Sequence, residues 1–433
     1  MSDWIQKARE LYLYAYPLLV TDTVRKGADP NGLTHLRTFP TEKEKRIVKL
    51  NNDTLYSYCW PQLDKTPYRL HLPEITGRYV LLPILDAYTE VVETFGTHKA
   101  AYGTGDYLLV YGEETPAEAN ENETVIHLKT ALISILLRVE TRGKSDYAAA
   151  NQVQDSITVT PVYPERTEPV PPLPELPPAE WVNALSAEKF FTRFAELTRV
   201  NPIQDAHILD IFEDFGYDKL HTSWHPSALS ITQREALHQG KEEALRIIRG
   251  GKQNDAHLIP HRGWISIIGG VGTYGNDYVD RAITAYSGWG ANRVQDSAYV
   301  TALYDDNGDP LYAQEYYQVH FAPDGYPHAD IFWSITVYGE PSHFLSRNPI
   351  DRHCINSYDV AANRVHTNAD GSLDLWIRST PPGKDKLDNW LPSPQDEERF
   401  SLAIRIYTPD VTTIQGQWEP PSVTRVPPKG GDA

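Results

Sequence analysis

Thiols are almost missing from this chain. Cys59 and Cys354 are its two cysteines, too few and too far apart for a disulfide framework or for the thiolates of a structural zinc site. Basic residues are outnumbered: 40 Lys and Arg against 58 Asp and Glu leave a net charge of −18. That charge is scattered rather than blocked, a surface that repels phosphate backbones, so nucleic acid is excluded as an expected partner. No apolar run approaches the ~20 residues that a membrane span requires, and no membrane partner is expected either. The opening Met1-Ser2-Asp3-Trp4 has no basic start or small-residue cleavage site, and Lys7, Arg9 and Glu10 interrupt any apolar core segment. The reading is a cytoplasmic protein, with an export form trimmed before this numbering left open. A G-x-S-x-G elbow, a P-loop and a C-x-x-C pair are also absent from the sequence.

What is present is alternation. With 433 residues and 40% hydrophobic content, two or three domains with ordinary cores are expected. Trp4, Ala8, Leu11 and Ala15 fall at helical spacing and predict a helix over residues 3 to 16, ended by Pro17 and packed on the first domain. Strands are expected at about 78 to 85, 88 to 95, 106 to 111, 124 to 129 and 133 to 141, at sandwich-like spacing. Residues 161 to 178 hold eight of the 33 prolines and read as an extended connector. Beyond it, Phe190, Phe191, Phe194 and Leu197 make one helical face and Ile208, Ile211, Phe212 and Phe215 another. A third helix over 226 to 249 is expected to close at Gly250-Gly251.

In the last block, Asp306-Asn307-Gly308 predicts a hairpin turn between strands over 297 to 304 and 311 to 321. The alternating sets Tyr317, Val319, Phe321; Leu373, Leu375, Ile377; and Phe400, Leu402, Ile404, Ile406 predict half-buried antiparallel strands. The fold class is therefore mainly β with a helical segment. An N-terminal β-sandwich with a leading helix covers 1–163, a Pro-rich linker 164–178, a helical segment 179–252 and a C-terminal jelly-roll-like β-sandwich 253–433.

Seven short motifs occur in order: Asn52-Asp53-Thr54, Asp86-Ala87-Tyr88-Thr89, Gly105-Asp106-Tyr107, Gly290-Ala291-Asn292, Phe332-Trp333-Ser334, Asn368 to Asp374, and Asn389-Trp390-Leu391-Pro392. In that order the chain resembles the two-domain proteins of bacteria and viruses known as domains of unknown function 1254 and 1214. The resemblance implies an N-terminal β-sandwich, a helical segment and a C-terminal jelly-roll-like domain, commonly in oligomers. It carries no catalytic set. Val110-Tyr111-Gly112-Glu113 and Tyr326-Pro327-His328-Ala329-Asp330 depart from the family pattern, so any pocket lined by those loops would differ here.

Among residues able to carry chemistry, Gly270-Val271-Gly272-Thr273-Tyr274-Gly275 matches G-x-G-x-x-G, but the hairpins after it favour a structural turn over a dinucleotide site. His257 and His261 have i, i+4 spacing, yet Pro260 argues against the helix that would bring them to one metal. His353 beside Cys354 and His328 beside Asp330 lack a diagnostic spacing. Asp86 interrupts an apolar stretch from Tyr79 to Phe95, and Asp53 sits in a polar triplet before Tyr56. Buried carboxylates are costly unless hydrogen-bonded or placed at a cleft. Facing one another, Asp53 and Asp86 would form an acid–base pair by raising one pKa; otherwise Asp53 makes an Asx turn and Asp86 caps a hairpin. The polar strand faces carry Tyr316, Trp376 and Tyr407, a shelf suited to sugar rings and equally to ordinary sheet packing.

Three readings are open. The first is an oligomeric enzyme or binding protein for a small polar, carbohydrate-like ligand, with Asp53 and Asp86 as catalytic residues of a hydrolase or lyase. Asn52, Thr54, Tyr56, Tyr88, Asn292 and Trp390 would bind the ligand. The second is a non-catalytic assembly module, a homo-oligomer. The third is a metal-dependent β-barrel enzyme; no cofactor is otherwise expected.

Overall fold

The computed structural model describes residues 2–44, 49–98, 101–251, 258–261, 263–267 and 270–427. Helix α1 (Ser2–Val24) opens the chain. Nine strands come next: β1 (Thr34–His35), β2 (Thr54–Cys59), β3 (Tyr68–Leu72), β4 (Val80–Leu85), β5 (Val91–Gly96), β6 (Gly105–Tyr111), β7 (Thr124–Leu128), β8 (Ser134–Glu140) and β9 (Thr158–Pro161), with α2 (Tyr147–Ser156) before the last. The middle contains α3 (Pro178–Ala184), α4 (Ala187–Leu197), α5 (Ala206–Asp214), the ribbon β10 (Tyr217–Asp218) and β11 (Ser223–Trp224), and α6 (Ile231–Gly250). The last part runs β12 (Leu258–His261), β13 (Trp264–Ile267), α7 (Tyr278–Ser287), β14 (Ser297–Ala302), β15 (Tyr317–Phe321), β16 (Ala329–Glu340), β17 (Cys354–Asn356), α8 (Ser357–Ala361), β18 (Leu373–Arg378), β19 (Trp390–Pro392), β20 (Arg399–Pro409), α9 (Val411–Ile414) and β21 (Ser422–Arg425).

The N-terminal sandwich packs the sheet β1-β2-β8-β4-β5 on β7-β6-β3-β9. Its core is built from alternate residues, among them Leu55, Leu70, Leu82, Leu109 and Leu137, because successive strand side chains point to opposite faces. The C-terminal jelly-roll-like sandwich packs β12-β13-β14-β20-β16-β17 on β19-β18-β15-β21 around Val300, Val319, Ile335, Leu375 and Ile404. Neither sandwich closes into a barrel, so the β-barrel form of the metal reading does not apply.

Helix α1 differs from expectation at its end and in its partner. It runs through Pro17 for another two turns and packs chiefly on α3 to α7, reaching the first domain through Trp60, Tyr88 and Leu132. Leu18, Leu19 and Val20 are as buried as the residues before Pro17, and their burial outweighs the lost hydrogen bond of the proline. The hairpin expected at Asn307-Gly308 is also local. The turn closes one bridge, Tyr304 to Pro310, while β14 and β15 go to different sheets of the sandwich. No helix of the described residues is long and apolar enough to cross a membrane.

Candidate functional site at the junction of the two sandwiches

Alternation gives each sheet a second face, and the second faces of β2/β8/β4 and β14/β20/β16 meet each other. Aromatic contacts cross the junction: Tyr79 meets Tyr407 at 5.9 Å and Phe332 at 6.5 Å, ring centre to ring centre. Beside this apolar seam lies a polar layer built from both chain halves.

Asp53 enters the layer from the loop before β2 and is 1% exposed. Its Oδ2 accepts hydrogen bonds from Ser334 Oγ (2.7 Å) and Tyr407 OH (3.0 Å), and its Oδ1 from the Cys354 thiol (3.2 Å). All three donors belong to the C-terminal sandwich. Burial pushes the Cys354 thiol well above its usual value, the Asp53 charge adds to this, and the sulfur therefore stays a donor. The same two causes act on Tyr407. Arg405, on the same face of β20, donates to Thr336 Oγ1 (3.2 Å), Tyr338 OH (2.7 Å) and the Lys49 carbonyl (2.8 Å). Burial works against its charge, but Tyr338, Tyr407 and Asp53 around it prevail and hold its proton.

A second cation lies on the other sheet. Arg138 of β8, 4% exposed, pairs across strands with Tyr56 of β2, whose ring is 5.0 Å from its guanidinium. It donates to the Gly290 carbonyl (2.9 Å) and to Leu136 O (3.4 Å), and its Nε finds no acceptor among the described residues. Arg405 pairs in the same way with Tyr299 of β14, so each facing sheet contributes one Tyr–Arg pair. Asn51 Nδ2 donates to Tyr56 OH (3.0 Å), and Asn292 Nδ2 to Tyr299 OH (3.2 Å). Asn292 is fully buried and its Oδ1 has no partner among the described residues, while Ser297 Oγ lies against the Tyr299 hydroxyl. Tyr56 and Tyr299 are only half-buried, so solvent reaches that side of the layer.

The G-x-G-x-x-G segment supports this corner as a turn. Gly272 has φ +77°, and a Cβ there would sit 2.8 Å from the backbone of Asn292 and Arg293. Only glycine lets the two segments approach so closely.

The residues singled out from sequence thus separate into two groups. Asp53, Tyr56 and Asn292 come together in the layer, with Asn52 and Thr54 at its edge. Thr54 Oγ1 donates to Asn51 Oδ1, and Asn52, half-buried, has an Oδ1 with no partner among the described residues. Asp86, Tyr88 and Trp390 lie elsewhere. Asp53 carries the carbonyl that accepts from Thr141 N just past one end of β8, whereas Leu85, next to Asp86, pairs with Ser134 at the other end. At ~3.3 Å per residue the two carboxylates are about 25 Å apart, so they form no acid–base pair. Asp86 Oδ1 accepts the amides of Tyr88 and Glu90, both at 2.9 Å, which makes it the cap of the β4–β5 turn. Tyr88 OH donates to Asn201 O (3.0 Å) against the helices. Trp390 belongs to the far sheet, where its indole donates to Arg378 O (2.9 Å).

Of the aromatic shelf, Tyr407 is buried in the junction, Tyr316 lies under Arg378 and Trp376 under Lys386. Sequence reasoning misses Arg138 and Arg405, although each interrupts the oily interior of a strand, Ser134–Glu140 and Arg399–Pro409. A charge flanked by apolar residues inside a strand is a signal that the sequence does carry.

Among the described residues, Glu42, Asp351 and His353 approach closely enough to suggest a cation site. The histidine is set wrongly for one. Asn348 Oδ1 already accepts the amides of Ile350 and Arg352, so its Nδ2 must face His353 Nδ1 (3.1 Å), which is then an acceptor. Nε2 carries the proton and turns a donor toward Asp351 (3.5 Å). His261 lies in β12, not on a helix, and His257 falls outside the described residues. Surface hollows of about 360 Å³ along α4 and about 280 Å³ between His366 and Asn389 lie away from the junction.

Two sandwiches locked through their second faces, with helices to one side, define a two-domain β protein. The chain belongs to the family that combines two regions, each described as a protein of unknown function: DUF1254, matching residues 30–161, and DUF1214, matching residues 296–411. The facing sheets of the layer lie largely within those segments. The structure is similar to that of the VPA0106 protein from Vibrio parahaemolyticus, with TM-score 0.70 and 18% identity over 98% of this chain and 100% of that one. It is also similar to an uncharacterized protein from Burkholderia cenocepacia, with TM-score 0.44 and 14% identity over 98% and 95% of the two chains. The first likeness concerns the fold alone. No curated protein matches this chain.

Proposed function

We propose that this protein binds a small polar molecule between its two β domains, in the layer lined by Tyr56, Arg138, Asn292 and Tyr299. Asp53 locks the second sheet in place for that purpose rather than moving protons. The observation that carries the reading is the buried Arg138 and Asn292, which keep hydrogen-bonding atoms without protein partners among the described residues, beside two half-buried tyrosines. Such atoms cost stability wherever they serve nothing. The Asp53 oxygens are already engaged by three side-chain donors of the second sandwich, which ties this carboxylate to the junction. Acid–base turnover gains no support from Asp86 either, whose Oδ1 caps a turn.

The test is a thermal-shift screen of small polar molecules on the wild-type chain and on Tyr56→Phe and Asn292→Ala. A compound that binds in the layer raises the wild-type midpoint and loses most of that effect in both variants. Hits that act equally on all three proteins would place binding elsewhere and end this reading.

A further inference from the structure

We propose that the ligand of this layer is a small carboxylate, paired with the Arg138 guanidinium and held by hydroxyls from both sheets; this rests on the layer being the binding site. Two cations share the layer and differ in their company. Arg405 has Asp53 as its neighbouring anion. Arg138 is as deeply buried, yet no carboxylate of the described residues pairs with it, and its hydrogen bonds go to two backbone carbonyls and the neutral Tyr56 hydroxyl. Buried charges in folded proteins are paired, and a ring at 5.0 Å offsets only part of the lost hydration.

The donors around it fit an anion. Arg138 Nε–H has no acceptor among the described residues. Tyr56 and Tyr299 each use the phenol oxygen to accept from an asparagine amide, which leaves the phenol proton to be donated. Ser297 Oγ lies against the Tyr299 hydroxyl and adds a further polar group at that edge. One guanidinium edge and hydroxyls arriving from two directions suit a planar group with two charged oxygens, and a ligand with a single negative charge would balance the single unmatched cation. Tyr56 and Tyr299, only half-buried, mark the side from which such a ligand would enter.

The experiment titrates acetate and glycolate into the full-length protein by calorimetry and thermal shift, with glucose and, at equal ionic strength, sodium chloride alongside. Saturable stabilisation by the carboxylates is expected, with at least a tenfold loss of affinity in Arg138→Met and a several-fold loss in Tyr299→Phe. Arg138→Met should match or exceed the wild-type midpoint in the absence of added carboxylate, since the unmatched charge is gone. Should Arg138→Met fail to fold, Tyr299→Phe asks the same question by removing one oxygen.

Glucose binding that depends on Tyr56 and Tyr299, without carboxylate binding, would overturn the carboxylate assignment and leave the site standing. Chloride reproducing the effect, or Arg138→Met keeping its acetate affinity, also overturns the assignment. Failure of every probe, in the presence of a layer-dependent hit from the wider screen, does the same. Failure with no such hit removes site and assignment together.

Discussion

Asp86 shows how a residue chosen for chemistry can be explained by its turn and still report on the fold. It is half-buried, and desolvation pushes its carboxyl up to about 6 although the Arg281 guanidinium and the turn amides hold it down. A carboxyl raised in the folded state binds more protons there than in the unfolded chain. Its stabilising contribution is complete below the unfolded value near 3.8 and is lost as pH rises through about 6. Asp86→Asn keeps an oxygen for the Tyr88 and Glu90 amides and removes the titration. The variant should be more stable than wild type by about 1–2 kcal/mol at pH 8, a discounted value for a partly exposed group, and no more stable near pH 4. Urea unfolding at the two pH values measures this; equal differences at both would mean that burial does not govern this carboxyl.

At the scale of elements, helices α1 and α6 cross where α6 has no side chain. A Cβ at Gly240 would lie 2.6 Å from Ala8 Cβ and 2.6 Å from the Arg9 backbone nitrogen. Gly240→Ala gains about 1 kcal/mol of helix propensity, but it drives a methyl into backbone, an overpacking cost of roughly 1–3 kcal/mol or more. The net expectation is a loss of about 1–2 kcal/mol. Gly250→Ala, where nothing lies within 4 Å, should be neutral or slightly stabilising. Thermal denaturation of the pair separates packing from propensity, and a stabilised Gly240→Ala would mean the helices can part at no cost. Nothing in the sequence around Gly240 announces this crossing, because close approach is a property of the partner helix.

The same distinction explains which elements are legible. Strands with strict alternation, such as Leu373–Arg378 and Arg399–Pro409, and helices with clear faces, such as Ala187–Leu197, fall where their pattern predicts. The pattern stops helix α1 at Pro17 because local propensity says nothing of the surrounding helices that bury Leu18 to Val20. Asn307-Gly308 does make a turn, but which sheet each flanking strand joins is decided by long-range packing. Asp53, Tyr56 and Asn292 can be singled out by type, whereas their three-dimensional neighbours Ser334, Cys354 and Tyr407 lie about 280 to 350 positions beyond Asp53 along the chain.

Those long-range bonds give the whole molecule its expected behaviour. The two sandwiches have separate cores and could in principle melt separately, yet the Asp53 carboxylate of one is held entirely by side chains of the other. Hydrogen bonds to a buried charge each contribute about 1.5–3 kcal/mol, and here they are made only when the domains are joined. Wild type should therefore unfold in one calorimetric transition. Asp53→Asn places amide hydrogens among three donors and strips Arg405 of its neighbouring anion, so a loss of about 3 kcal/mol is expected, falling on the junction and not on either core. The melt should broaden or divide into two transitions as the domains lose their coupling. Asp106→Asn, an exposed carboxylate beside His71 on the far sheet, should change stability by less than about 0.5 kcal/mol and leave one transition. If Asp53→Asn instead lowers the midpoint while the melt stays as sharp as that of wild type, the domains are joined mainly by the aromatic seam of Tyr79, Phe332 and Tyr407. The polar layer would then serve its ligand and contribute little to cohesion.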